Sequence, residues 1–345
     1  MTLDTLGFLE AVRGLPEQLI AAHATAAQVV PTSFDGVEHI RNICVIGMGG
    51  SGISGDVLAA VAGPFLNIPI TVSKQYELPA FVDSNTLVFV MSYSGGTEET
   101  LTAYETAVAA GARRVVVTNG GPLGDHAEHD GALRIPCPDG YMPRAALGAL
   151  VVPILVTLFR MGLLPQAHGW LEAAQEQLLR RRDQCEPSVE GAANPAREIA
   201  RKIGRTIPLV YGGGPIGAVA AYRWKCDINE NAKAPAFAAN YPELDHNEIC
   251  GWGVHGDVTR QVMSLVELRH DSEHAQVQRR FEATRTIIQE ALADVIEVRA
   301  EGDGPLAQLL DLMYIGDWVS CYMALDQGVD PGPIDAIMQL KQQLA

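Results

Sequence analysis

Asn42-Ile43-Cys44-Val45-Ile46-Gly47-Met48-Gly49-Gly50-Ser51-Gly52-Ile53-Ser54-Gly55-Asp56 decides how this chain folds. The unbroken apolar run 43–46 suits a strand covered on both faces. It stops at a glycine cluster, and Val57-Leu58-Ala59-Ala60-Val61-Ala62 reads as the apolar part of a helix over 53–62. A strand, a tight glycine turn and a helix N-terminus make an anion site. Glycines let the backbone approach closely, and the first-turn N–H groups have no acceptor within the helix. Ser51 and Ser54 are read as added hydroxyl donors at that turn.

Gly47-Met48-Gly49-Gly50-Ser51-Gly52 also fits the dinucleotide pattern G-x-G-x-x-G. That reading requires a carboxylate at the end of the next strand to hold a ribose. The next strand is expected over 68–73, and Lys74, Gln75 and Tyr76 follow it, with Glu77 only in the loop before Pro79. A glycine turn with no ligand is the third reading.

Val88-Phe89-Val90-Met91-Ser92-Tyr93-Ser94-Gly95-Gly96-Thr97-Glu98-Glu99-Thr100 separates them. Here an apolar strand runs into a Ser-x-Ser-Gly-x-Thr turn that opens a helix. Hydroxyls at 92, 94 and 97 beside helix N–H groups suit a phosphate monoester. Helix capping by Ser94 or Thr97 accounts for one hydroxyl and leaves the others without a task. The candidate phosphate residues are therefore Gly47, Gly49, Gly50, Ser51, Ser92, Ser94 and Thr97.

The chain has 345 residues, 48% hydrophobic and 19% charged, as expected of a soluble globular protein with two domains. Its formal net charge of −16 argues against a nucleic-acid surface and against an anionic membrane, so an anionic substrate needs local donors. Six cysteines are scattered without a C-x-x-C pair, which fits a reducing cytoplasm. The opening residues 1–31 lack the basic start and apolar core of a signal peptide. The uncharged run 145–159 is short for a membrane span and reads as a buried helix.

Residues 4–30 suggest two helices. Then follow strands 43–46, 68–73, 86–91, 114–118 and a weaker one near 132–135, with helices over 53–62, 97–110 and 145–161. The alternation implies an α/β fold with mostly parallel sheets flanked by helices. A polar helix over 171–186, whose Arg180-Arg181-Arg182 is read as a solvated face, leads to a boundary at 190/191. The domains are thus expected at 1–190 and 191–345. The second repeats the pattern: strand 207–211, the turn Gly212-Gly213-Gly214-Pro215-Ile216-Gly217, a helix to 225, strand 261–268, helix 273–291, strand 293–299, and helices over 305–327 and 333–344. Pro215 stands where the first turn offers Ser51, so a single phosphate site in the first half is expected.

The two hydroxyl and glycine turns together resemble a sugar isomerase (SIS) domain, here in tandem. Asn229-Glu230-Asn231-Ala232-Lys233, Pro242-Glu243-Leu244-Asp245-His246-Asn247-Glu248, Gly328-Val329-Asp330-Pro331 and Leu340-Lys341 resemble the archaeal-type bifunctional phosphoglucose/phosphomannose isomerase family. The resemblance implies an aldose–ketose isomerase that interconverts glucose or mannose 6-phosphate with fructose 6-phosphate through an enediol. It implies Glu230 as the proton-transfer base, His246 as the ring-opening histidine supplied by the neighbouring subunit of a homodimer, Lys341 as its assistant, and Arg144 as the enediolate-stabilising cation. Relatives that accept mannose 6-phosphate carry a threonine in the C-terminal part of the site, whereas Asp330-Pro331-Gly332-Pro333-Ile334 has no hydroxyl. No cofactor is expected, because the enediol route moves only protons. No metal is expected either, since neither H-E-x-x-H nor a His/carboxylate cluster with ligand spacing occurs. The alternatives are a non-catalytic phosphosugar sensor of the same fold, which has no need of Glu230 and His246, and an isomerase of another sugar phosphate.

Overall fold

Thr86–Ser92 is buried at every position, and a strand without a polar face must be covered by helices on both sides. The computed structural model, which describes residues 3–344, supplies them in two compact units. The first comprises Gly14–Glu176 with Asp303–Ala307; the second comprises the chain up to Arg13, Gln177–Gly302, and the chain from Gln308.

Helix α1 (Phe8–Arg13) belongs to the second unit. The first unit runs through α2 (Leu15–Val29), β1 (Asn42–Ile46), α3 (Gly49–Ala62), β2 (Ile70–Ser73), β3 (Thr86–Ser92), α4 (Glu98–Ala109), β4 (Arg113–Thr118), α5 (Gly121–His129), β5 (Leu133–Pro136) and α6 (Leu147–Arg160). Its sheet is wholly parallel in the order β2-β1-β3-β4-β5. Strand order reverses between β1 and β3. The crevice outside their carboxyl ends is where an open α/β sheet takes a ligand, and both hydroxyl and glycine turns lie there.

Helix α6 is the expected buried helix, with every residue from Leu147 to Leu158 in the core. Pro153 within it has no N–H for the carbonyl of Ala149. The Cys137 thiol fills the gap, donating to that carbonyl at 3.6 Å. Burial pushes this thiol up to about 12, so it stays protonated and inert.

The second unit continues with α7 (Ala167–Cys185, begun in the first unit), α8 (Pro195–Ile203), β6 (Ile207–Gly213), α9 (Gly214–Asp227), β7 (Phe237–Tyr241), α10 (Gly256–Val262), β8 (Met263–Arg269), α11 (Ala275–Ile288), β9 (Asp294–Arg299), α12 (Gly304–Asp326) and α13 (Asp335–Leu344). Its parallel sheet runs β7-β6-β8-β9. The predicted strand over 261–268 begins instead at Met263, preceded by α10. Among the described residues no helix is long and apolar enough to cross a membrane.

One sequence expectation is corrected here. The Arg180–Arg182 run is not uniformly solvated: Arg181 is buried, donating from Nε to Asp311 Oδ1 at 2.8 Å and from Nη2 to Asp311 Oδ2 at 2.7 Å. Gln177 Nε2 and the Glu301 N–H donate to the same carboxylate, each at 2.8 Å. This buried pair ties the C-terminal half of α7 to α12, and the compact division accordingly falls at 176/177, whereas the composition shift suggests 190. Breaking a buried pair from one side strands a charge at a cost of about 3–5 kcal/mol. Arg181→Met should lower the unfolding midpoint markedly, and Arg181→Met with Asp311→Leu should recover part of the loss. Equal midpoints for the single variant and wild type in urea denaturation would contradict the role given to this pair.

Candidate functional site

The glycine turn is closely packed, and Gly50 and Gly52 are among its positions with no room for a Cβ. One added at Gly52 would lie 2.5 Å from the Gly47 carbonyl oxygen, and one at Gly50 would lie 2.8 Å from the Pro143 carbonyl oxygen. Met48 takes the N-cap position of α3 in extended conformation. Gly49 and Gly50 open the helix, so their N–H groups have no acceptor within it and are available to an anion.

The hydroxyl turn is bonded to this one through Ser51. Tyr93 N–H donates to Ser51 Oγ at 3.1 Å. With an oxygen lone pair engaged this way, the Ser51 proton is directed elsewhere. The same logic repeats on the second turn. Gly95 N–H donates to Ser92 Oγ at 3.1 Å, Gly96 N–H donates to Ser94 Oγ at 3.4 Å, and Ser92 and Thr97 share a hydrogen bond at 3.0 Å. Thr97 occupies the N-cap of α4 but makes no side-chain capping bond. Capping therefore does not account for its hydroxyl. Ser54, read from the sequence as a further donor, is not one: it is fully buried and donates to the Ser51 carbonyl at 2.6 Å.

Arg144 joins this site through its backbone. It lies in the 3-10 turn Pro143–Ala145, is 5% exposed, and its Cα would be 3.2 Å from a Cβ on Gly50. Gln18, buried on α2, fixes the turn. Its Nε2 donates to the Ala145 carbonyl at 2.8 Å, and its Oε1 accepts from Gly148 and Ala149 N–H at 2.8 and 3.2 Å. The side chain caps the start of α6 and so sets where Arg144 stands. Lys74, just past β2, runs over Gly52 with Cε 3.1 Å from the added Cβ and pairs with Asp56. Burial raises the Asp56 carboxyl, and Lys74 opposes that rise.

The carboxylate candidate sits in the second unit. Glu230 lies on a π-helical turn, Ile228–Ala232, that continues α9. Lys233 follows in the left-handed region at φ 54°. Its ammonium folds back to the carbonyls of Glu230 at 2.6 Å and Asn231 at 3.3 Å, and reaches Pro331 at 3.3 Å. A cavity of about 480 Å³ opens here, lined by Asn229, Glu230, Lys233 and the chain 334–337 at the start of α13. Lys341 is exposed on α13, one turn beyond Ile337 and on the same helix face.

His246 does not line this cavity. It ends the 3-10 turn Glu243–His246 and is exposed. The turn is anchored by Asp245, which accepts from Arg280 Nη1 at 2.7 Å and from Thr284 Oγ1 at 2.8 Å. The loop after α12 also has an anchor: Asp330 Oδ2 accepts from Thr5 Oγ1 at 2.5 Å. A Cβ at Gly332 would lie 2.8 Å from Leu6 Cβ, so that position has no space for a threonine.

The second glycine turn, after β6, accepts a side-chain bond from its own unit. Where the first unit has Ser92 and Ser94 at the end of β3, the second has Arg269 and His270 at the end of β8. His270, 2% exposed, donates from Nε2 to the Gly213 carbonyl at 2.8 Å.

Sequence reasoning missed Gln18, Lys74, Lys233 and Thr5 at these sites. Lys233 carried a signal in its place within the Asn-Glu-Asn-Ala-Lys motif. The others act through long-range contacts that no local pattern encodes.

Comparison with known proteins places this architecture. The SIS domain profile matches residues 37–160, and the profile described as the bacterial phospho-glucose isomerase C-terminal SIS domain matches residues 192–344. The chain is 36% identical to a bifunctional phosphoglucose/phosphomannose isomerase of Caldicellulosiruptor bescii, over 97% of this chain and 98% of that one. It is 35% identical to the protein of the same name from Aquifex aeolicus, over 88% and 90%. Among solved structures, tagatose-6-phosphate ketose/aldose isomerase from Escherichia coli shares the fold at a TM-score of 0.69 and 16% identity, covering 93% of each chain. Two SIS domains in tandem and this end-to-end likeness together establish that the chain belongs to the bifunctional phosphoglucose/phosphomannose isomerase family.

Proposed function

We propose that this protein interconverts glucose 6-phosphate and mannose 6-phosphate with fructose 6-phosphate. The observation that carries the reading is the bond from Tyr93 N–H to Ser51 Oγ, which joins two hydroxyl and N–H turns into one anion cradle. A fully ionised phosphate monoester needs several donors at once, and in a chain of net charge −16 they must be local. The names of the relatives, phosphoglucose/phosphomannose isomerases, support a glucose or mannose phosphate as that ester.

Gly49, Gly50, Ser51, Ser92, Ser94 and Thr97 hold the phosphate, with Gly47 letting the turn close. His246 and Lys341 open the sugar ring. Glu230 takes the proton from C2 of the aldose and returns it at C1, and Arg144 stabilises the negative charge on the enediolate oxygen. An enediol is planar at C2, so one base serves both aldoses if the pocket tolerates rotation of the remaining chain. Its exposure and its place outside the Glu230 cavity favour delivery of His246 from a neighbouring subunit, hence a homodimer. Six free thiols suit a reducing cytoplasm.

Ser51→Ala with Ser94→Ala should raise KM strongly, since each lost bond to a charged phosphate is worth about 1.5–3 kcal/mol. Inorganic phosphate should compete with substrate, and unchanged affinity in the double variant would remove this site from consideration. Glu230→Gln should lower kcat on glucose and mannose phosphates by similar factors with little change in KM; loss of only one activity would refute a single base. Mixing inactive His246→Ala and Glu230→Gln proteins should restore activity in hybrid dimers. No recovery after verified subunit exchange would mean that each site is built within one chain.

A further inference from the structure

π-Helical turns are rare and concentrate at functional positions, because the extra residue per turn leaves backbone groups without their usual partners. The turn Ile228–Ala232 is held from beneath by buried polar groups that the proposed chemistry does not use. Arg223, on α9, lies between two carboxylates: its Nε is 2.7 Å from Asp227 Oδ2, and its Nη2 donates to Asp317 Oδ1 at 2.9 Å. Arg223, Asp227 and Asp317 are all buried. From the same stretch of α12, Ser320 Oγ donates to the Asp317 carbonyl at 2.7 Å and accepts from Asn231 Nδ2 at 2.9 Å. Asn231 and Ser320 are fully buried.

Glu230 therefore stands between Asp227, one turn before it and linked to α12 through Arg223, and Asn231, immediately after it and bonded to Ser320 of α12. Asn231 turns inward and Glu230 lines the cavity. The two helices are themselves locked, since Trp224 Nε1 donates to the Leu312 carbonyl at 2.6 Å and packs on Gly316, where a Cβ would lie 2.4 Å from that nitrogen. A hydrophobic contact of the same volume would hold α9 to α12 at least as firmly as this triad. What polar groups add is direction: the Asn231–Ser320 bond fixes an atom of the turn itself relative to α12, and the Arg223–Asp317 bond fixes the helix that the turn continues.

We propose that Asn231 and Ser320, tied to the buried Asp227–Arg223–Asp317 triad, are positioning residues that fix the Glu230 carboxylate in its cavity. The inference rests on the reading of Glu230 as the proton-transfer base. Proton transfer is sensitive to such placement, with a displacement of about 1 Å costing on the order of a hundredfold in rate. Phosphate binding, which uses residues 47–97, is indifferent to it.

The test compares Ser320→Ala, Ser320→Thr and Asp317→Asn with Glu230→Gln, reading kcat, KM, inhibition by inorganic phosphate and the unfolding midpoint. Ser320→Ala should lower kcat about tenfold or more, leaving KM and phosphate inhibition within about twofold. Ser320→Thr keeps the hydroxyl and should recover most of kcat. Asp317→Asn keeps the shape of the side chain, should lose kcat in the same selective way, and serves if Ser320→Ala does not fold. Wild-type kcat in folded Ser320→Ala and Asp317→Asn, beside an inactive Glu230→Gln, would overturn the positioning role alone. Parallel losses in kcat, phosphate inhibition and unfolding midpoint would reduce the network to a structural one and overturn it too. An active Glu230→Gln would overturn the base assignment and this inference with it.

Discussion

No side chain fits between the Gly47 carbonyl and Gly52, or between Pro143 and Gly50. That steric constraint shapes the glycine turn and the proposed phosphate cradle built on it. With Gly52 pressed against Gly47, α3 starts directly at the end of β1, and its first N–H groups point into the crevice at the strand-order reversal. With Gly50 pressed against Pro143, Arg144 is brought to the same turn. Ser51 then sits where Tyr93 N–H meets it, and the second hydroxyl turn is registered against the first. Each of these placements depends on the one before it.

The two units share a topology and divide the chemistry. Glycine turns follow β1 and β6 alike, yet only the first is backed by a Ser-x-Ser-Gly-x-Thr turn. At the end of β8 the second unit places Arg269 and His270, and His270 bonds the carbonyl of its own glycine turn. Its distinctive group is instead Glu230, lifted on a π-turn at the end of α9 beside a cavity of about 480 Å³. Two α/β units of like topology thus carry different side chains after their strands, hydroxyls in the first and Glu230 in the second, as expected when function is grafted onto a fold rather than dictated by it.

Much of this was legible in the residues, for identifiable reasons. The apolar runs at 43–46 and 86–91 are fully buried strands, so hydrophobicity alone located them. The uncharged run 145–159 became α6 because no polar face competes with burial. Strand β7 went unseen because it is a short edge strand, largely exposed, whose Phe-Ala-Ala-Asn-Tyr carries no alternation. Helix α8 did carry a signal, since Asn194 caps it by accepting from Arg197 N–H at 3.1 Å and Pro195 opens it. Arg181 and Gln18 mislead for a deeper reason. A charged or amide side chain is read as solvated unless its partner is known, and Asp311 and Ala145 lie about 130 positions away. Ser54 shows the converse error, in which a hydroxyl beside a ligand turn is consumed by its own helix.

The central claim is that a hexose phosphate held by the first unit's hydroxyl turns is isomerised by proton transfer through Glu230. Nuclear magnetic resonance of glucose 6-phosphate turned over in D2O tests it most directly. Deuterium should enter C2 of the recovered aldose phosphates, both glucose and mannose epimers should form, and Glu230→Gln should abolish both the exchange and the interconversion. Interconversion with no deuterium at C2, or with full exchange surviving in Glu230→Gln, would contradict the account.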